Sequence, residues 1–377
     1  MKLISLAEVQ TQMHCGAPLP WNVRDADGGL LLARGYIVAD DGMLGALLER
    51  GIFVDAEEVE AAAARGDSTP PLRAETPDER WGALHARLAW LLRNRGDSGF
   101  LDQVRDTAGA IATLTEGDVD RLLYLIIRHD HRRFATYGSA HSLHVATVCS
   151  LLARRLGWPR EQHERLLCAA LTMNISIIEL QGQLAGRREA LTSMQRERIH
   201  AHPLASGAML RVAGLRDEDW ISAVEQHHEQ SGGVGYPRAL KTPVEESQAL
   251  RLVDQLTAKY ARLGDRPAIP ARQAAGDLYA QNHGHPMAAL LIKELGIYPP
   301  GCFVTLASGE TGIVIRRGGS ANTPVAIAIT DHQGEALGTL RRRDTSSSAY
   351  SVVATVDERS VLVRIPVEKL YDENIQA

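Results

Sequence analysis

The chain has 377 residues, enough for two or three domains, with the 45% hydrophobic and 23% charged content of an ordinary globular protein. A net charge of −5 argues against a broad nucleic-acid-binding face. No apolar run approaches the ~20 residues of a membrane span, so no membrane insertion is expected. The first sixteen residues lack the long apolar stretch of a signal peptide, and a cytoplasmic location is expected. Cys15, Cys149, Cys168 and Cys302 form no CxxC pair, so neither a thiolate metal site nor a disulfide framework is expected.

Residues 1–55 read as a small α+β module. Pro18 to Val23 and Leu30 to Val38 have strand character around the turn signal Asp25-Ala26-Asp27-Gly28-Gly29. Met43 to Leu48 starts as a helix after Asp40 and Asp41, and Gly51 stops it. Residues 56–78 are acidic and Ala-rich, then carry Thr69-Pro70-Pro71, and read as a linker. From 79 to 296 apolar residues recur at helical spacing, in Trp81–Leu92, Val104–Leu114, Val119–Ile127, His141–Leu156, His163–Leu171, Ile199–Val212 and Leu250–Leu263. This block predicts a helical bundle. After Tyr298-Pro299-Pro300-Gly301 the pattern turns to strands at Phe303–Leu306, Gly312–Ile315 and Val325–Ile329, with further candidates at Ser351–Val356 and Val361–Ile365. Residues 297–377 therefore read as a small antiparallel β extension, and the fold class as mainly α.

The chemistry concentrates in the run His227-His228-Glu229-Gln230-Ser231-Gly232-Gly233-Val234-Gly235-Tyr236-Pro237. Neutral imidazole is a ligand for Zn, Fe or Mn. An adjacent His pair cannot point one way along a regular helix, so both converge only at a helix end. The glycines let backbone approach a ligand or partner closely, and Pro237 stiffens the exit. Further candidates are His141 at the start of an apolar helix, His202 before Pro203 with Gly207 beyond, and Asp254 on an apolar helix where a carboxylate needs a partner.

The run matches HHExxxGxGYP at every specified position and resembles the signature of the HD-GYP family, metal-dependent phosphodiesterases that open cyclic di-GMP. The resemblance spans the helical block from about 115 to 265, and the flanking modules are also similar to common companions of that core. It implies metal ligands at His141, His202, His227, His228 and Asp254. It also implies a partner or ligand loop at Glu229, Gly232, Gly233, Gly235, Tyr236 and Pro237, which in the family is associated with docking onto GGDEF domains. Tyr137 stands where some members carry a carboxylate for a third metal.

One family motif is altered. Ala169-Ala170-Leu171-Thr172-Met173-Asn174-Ile175-Ser176-Ile177 resembles AALLHDIGK, with Met173-Asn174 in place of His-Asp and Ile177 in place of the lysine. Methionine is a soft, weak donor, and asparagine offers a neutral oxygen where the family has a bridging anion. Two dications a few ångströms apart repel and need anions between them. The expectation is a degenerate site with no intact catalytic set. It would bind at most one divalent metal (Fe, Mn or Zn) and hydrolyse little or no cyclic di-GMP. Its role would be regulatory, through a GGDEF-domain partner or the bound dinucleotide, with self-association left open. The competing expectations are an active phosphodiesterase that recruits His129, His131 or His144, and a nucleotide phosphohydrolase on the same fold.

Overall fold

The computed structural model describes residues 3–6, 8–9, 19, 21–25, 28, 30–32, 52–64, 76–129, 134–187, 189–261, 268–372 and 375. The chain divides into two compact units, Met1–Ala74 and Glu75–Ala377. The expected helix at Met43–Leu48, the Thr69-Pro70-Pro71 segment, His131, Arg262 and Arg266 lie outside the described residues.

In the first unit β1 (Leu3–Ser5), β2 (Val23–Arg24), β3 (Leu30–Leu32) and β4 (Phe53–Asp55) form an antiparallel sheet of order β1-β4-β2-β3. Trp21, Val23, Val54 and Leu6 make its core. Helix α1 (Ala56–Ala64) follows β4 directly, within the stretch read as a linker. Its alanines and glutamates are strong helix formers, and Val59 packs onto the sheet core.

The second unit begins with α2 (Pro77–Arg93), opened by a capping box between Thr76 and Glu79. Then come α3 (Phe100–Leu114), α4 (Val119–Ile127), α5 (Tyr137–Leu156), α6 (Arg160–Thr172), α7 (Ile178–Ala185), α8 (Ser193–Val212), α9 (Glu218–Glu225), α10 (Glu245–Tyr260), α11 (Ala271–Gln281) and α12 (Pro286–Leu295). Helix α5 is the axis of the bundle. It has no charged residue from Tyr137 to Ala153, and every residue from Gly138 to Ala153 is buried. A helix apolar all round belongs in the middle of a bundle. Around it pack Leu88, Ile111, Leu166, Leu167, Trp220, Leu250 and Val253.

The C-terminal sheet consists of β5 (Phe303–Leu306), β6 (Thr311–Arg316), β7 (Val325–Thr330), β8 (Ala336–Asp344) and β9 (Val352–Thr355), antiparallel in the order β8-β7-β6-β5-β9. Residues 361–365, expected as a strand, pair with no strand. Val361, Val363 and Ile365 instead lie with Ile313, Ile327 and Tyr124 in one apolar cluster, ahead of the short α13 (Val367–Leu370). Arg317 ties the sheet to the bundle by bonding Asp120 on α4 and Glu294 on α12, both at 2.7 Å. No described helix is long and apolar enough to cross a membrane.

Candidate metal centre

His202 lies within α8, immediately before Pro203. Proline has no N–H, so Pro203 leaves the carbonyl of Ile199 without its usual helical donor. The His202 Nδ1 takes that carbonyl at 2.5 Å. His227 follows the end of α9, where the last carbonyls also lack helical donors. Its Nδ1 takes the Val224 carbonyl at 2.6 Å. A carbonyl can only accept, so both Nδ1 atoms carry the proton and both Nε2 atoms are bare. Those two Nε2 atoms face each other at 3.0 Å. Lone pairs so placed need a cation between them.

His228 completes the group: the ligand atoms of His202, His227 and His228 all lie within 4.8 Å of one another. The chain turns sharply after α9, bringing the adjacent rings of His227 and His228 to 4.2 Å between centroids. Gly207 on α8 makes the approach of α9 possible, because a Cβ there would run into the Glu225 side chain. Burial, with the neighbouring His227, pushes His202 down to about 3 and His228 well below the ordinary imidazole range. Burial also lowers His227. Protons are therefore poor occupants of this centre. Three neutral imidazoles, two of them backed by carbonyl-bound Nδ1 atoms, are a donor set fit for one tetrahedral divalent metal, with water in the remaining place.

His141 and Asp254 form a pair of their own, outside the 4.8 Å group but within electrostatic reach of it. The His141 Nε2 and an Asp254 carboxylate oxygen lie 2.7 Å apart, joining α5 to α10. Burial works against the charge on Asp254, but the His141 hydrogen bond and the surrounding imidazoles outweigh it and hold the carboxyl below its usual range. Tyr137 stacks on His141 at 5.7 Å.

Met173 and Asn174 are buried in the turn that follows α6. The Asn174 carbonyl accepts from the Ile177 amide at 3.0 Å, and Ile177 is buried at the entry to α7. Ser176 fixes this turn to α8, donating to the His202 carbonyl at 3.1 Å and meeting the Ser206 hydroxyl at 2.9 Å. The altered motif thus sits against the helix that carries His202.

Glu229 is fully buried and is no ligand in this arrangement. Its two oxygens accept from the amides of Arg238 at 2.6 Å and Leu240 at 2.9 Å, fastening the loop that leaves the motif. Gly232 and Gly233 take positive φ in that loop. At Gly235 a Cβ would collide with the backbone of His228, Glu229 and Gln230, so the loop closes on itself only with glycine there. Tyr236 turns inward and stacks between His228 at 4.6 Å and His200 at 4.9 Å. Pro237 follows it, and the exposed apolar group of the loop is Val234. His129 and His144 belong to another group: their rings meet at 4.9 Å, beside His85 and Trp81.

Sequence reasoning did not single out Glu225 or Arg251, and took Ser176 only as standing at the glycine of the altered motif. Glu225 is a buried carboxylate bonded to Arg211 and, at 2.9 Å, to Arg238. Only the apolar setting of these polar residues hinted at a role. His200 is exposed and covers Tyr236.

Fold and donor set together define a helical domain built around a histidine centre fit for a metal. Residues 122–285 match the HD domain family. The chain is 26% identical over 279 residues to the cyclic di-GMP phosphodiesterase PA4108 of Pseudomonas aeruginosa, covering 69% of this chain and 67% of that protein. In structure it is similar to Bd1817, an HDG"Y"P protein from Bdellovibrio bacteriovorus, with a TM-score of 0.50 at 17% identity, over 77% of this chain and 96% of that one. The helical block is thus similar to HD domains, and the fold is similar to that of an HD-GYP-type protein.

Proposed function

We propose that this protein is a one-metal, hydrolytically weak or silent HD-GYP component of cyclic di-GMP signalling that acts by binding. The observation that carries this reading is the neutral Asn174 where a bridging anion is needed, beside a His141–Asp254 pair that is bonded to itself. The His202–His227–His228 triad would hold one divalent ion, which when bound polarises a phosphate oxygen or a water. The chain's own residues orient that site: Ile199 and Val224 carbonyls fix the imidazole tautomers, and Tyr236 covers His228. With no second cation, the charge that develops on a cleaving phosphodiester lacks most of its stabilisation, which costs orders of magnitude in rate. Cyclic di-GMP would then be a ligand rather than a substrate. The Gly235-Tyr236-Pro237 loop, with Val234 at its exposed tip, would serve a GGDEF-type partner.

Elemental analysis beside a cyclic di-GMP hydrolysis assay tests this. At most one metal per chain with negligible turnover is expected; two metals with brisk turnover would overturn it. The double change Met173→His and Asn174→Asp should raise metal content, and unaltered content would show that this turn is not the metal-bridging one. The alternative is an active phosphodiesterase with an unorthodox site, which the similarity to PA4108 favours. The same assay decides between them.

A further inference from the structure

A cleft of about 900 Å³ lies between the turn that joins α2 to α3, the first turns of α3, and the end of α8 with the turn beyond it. No residue of the histidine triad lines it. The buried part of its wall is apolar: Phe100, Ile175 and Leu215 are buried, and Leu101 and Met209 are half-buried. Val212 stands at the edge with 90% of its surface exposed, more than any other large apolar residue described. Gly96, Gly99 and Gly214 border the cleft, and a Cβ on any of them would meet nothing within 4 Å. The space is open and is not filled by neighbouring side chains.

The volume falls within the roughly 300–1,000 Å³ of small-molecule sites. Apolar surface left wet in such a cleft is what a ligand gains by covering. The charges of the lining decide which kind of ligand fits. Three arginines, Arg95, Arg105 and Arg216, stand against three aspartates, Asp97, Asp102 and Asp217. Most are already answered: Arg105 bonds Asp102 at 3.0 Å, and Arg95 bonds Glu179 at 2.9 Å. Asp217 accepts from the amides of Asp219 at 3.1 Å and Trp220 at 3.0 Å, which open α9. No surplus of either sign is left to hold an anion or a cation. Asp97, Ser98 and Arg216 are exposed at the rim and offer hydrogen bonds.

We infer that this cleft is a ligand site separate from the metal centre, for an uncharged small amphiphile with an apolar body and a hydrogen-bonding head. The body lies on Phe100, Ile175 and Met209, and the head meets the polar rim. The site stands whether or not the metal centre holds an ion. It nonetheless adjoins that centre. Ile175 precedes Ser176, whose hydroxyl donates to the His202 carbonyl at 3.1 Å, and Met209 shares α8 with His202. A bound molecule would press on the two elements that this contact joins.

The test uses phenylnaphthylamine, an uncharged aromatic amine that fluoresces strongly in apolar surroundings. Titration of the full chain should give a saturable rise with one probe per chain. Ala208 lines the cleft from an exposed position on α8. Ala208→Trp therefore fills the space without touching the core, and should weaken binding about tenfold or more. Val212→Lys sets a charge on the apolar edge and should also weaken it. Thermal unfolding checks that both variants fold; should one fail, the other decides. Met194→Ser, at an exposed apolar residue near the opposite end of α8, should bind as the parent does. Anilinonaphthalene sulfonate adds an anion to the same rings and should bind no better than the amine. No saturable rise in the parent overturns the inference. So does parent-like binding by the folded cleft variants, or a loss confined to Met194→Ser, because the probe then sits elsewhere. Tighter binding of the sulfonate would overturn the assignment to an uncharged ligand.

Discussion

Glu229 belongs to the most recognisable motif in the chain, yet both its oxygens are engaged by amides of its own loop. Its work is to seat Tyr236 over His228. Glu229→Gln would turn one acceptor into a donor facing an amide, at a cost of about 1–3 kcal/mol. Denaturant unfolding should register that loss, and limited proteolysis should cut near Val234 faster; an unchanged pattern would mean that something else secures the loop. The buried thiols give a second residue-scale expectation. Burial pushes Cys168 and Cys302 up to about 12 and raises Cys149. A raised thiol favours the folded state below the unfolded value of about 8.5 and loses that contribution as pH rises toward 12. At pH 8 these three cysteines should resist alkylation in the native protein and react once it is unfolded, as mass spectrometry of labelled peptides would show. Cys149 and Cys168 are buried and Cys302 is half-buried, so labelling of the native fold at Cys149 or Cys168 would contradict their burial.

At the scale of elements, the dipeptide His202-Pro203 inside α8 couples helix geometry to metal chemistry. Pro203→Ala would restore a donor for the Ile199 carbonyl and compete with the His202 Nδ1. The helix should become more stable while metal affinity falls, by about 10–100-fold for the loss of such a support. Competition against a chelator measures it; equal affinity would show that the carbonyl contact does not matter. Much of this element logic was legible in the sequence. The adjacent histidines, the proline and the glycines are short-range signals, and the helices of the bundle follow from apolar spacing. The family resemblance put His141 and Asp254 in one site, but their direct hydrogen bond was not legible, because 113 residues separate them and only the fold brings them together. Strand β8 was missed because Arg341, Arg342 and Arg343 break the apolar alternation on a strand that lies at the sheet edge. Residues 361–365 misled in the opposite sense: their alternation reflects an apolar face laid on the sheet without pairing to it.

For the whole molecule, the division after Ala74 means that the metal centre, the bundle and the C-terminal sheet belong to one unit. A fragment of residues 75–377 should retain the metal affinity of the full chain, measured by titration. A large drop would make the first unit part of the site. The bundle itself depends on α5, and Leu152 is fully buried at its heart. Leu152→Ala should cost about 2–5 kcal/mol in chemical denaturation. Less than about 1 kcal/mol would mean that the axis of the bundle tolerates a void that close packing forbids.

The stacking of Tyr236 on His228 has a spectroscopic consequence. A phenol ring held face-on above an imidazole shields its carbon-bound protons, so the His228 resonances should lie upfield of those of His202 and His227. That displacement is an intrinsic beacon of loop closure, readable in solution without labelling the loop itself. Its disappearance on adding a signalling partner would announce that the tyrosine has swung away and left the imidazole bare.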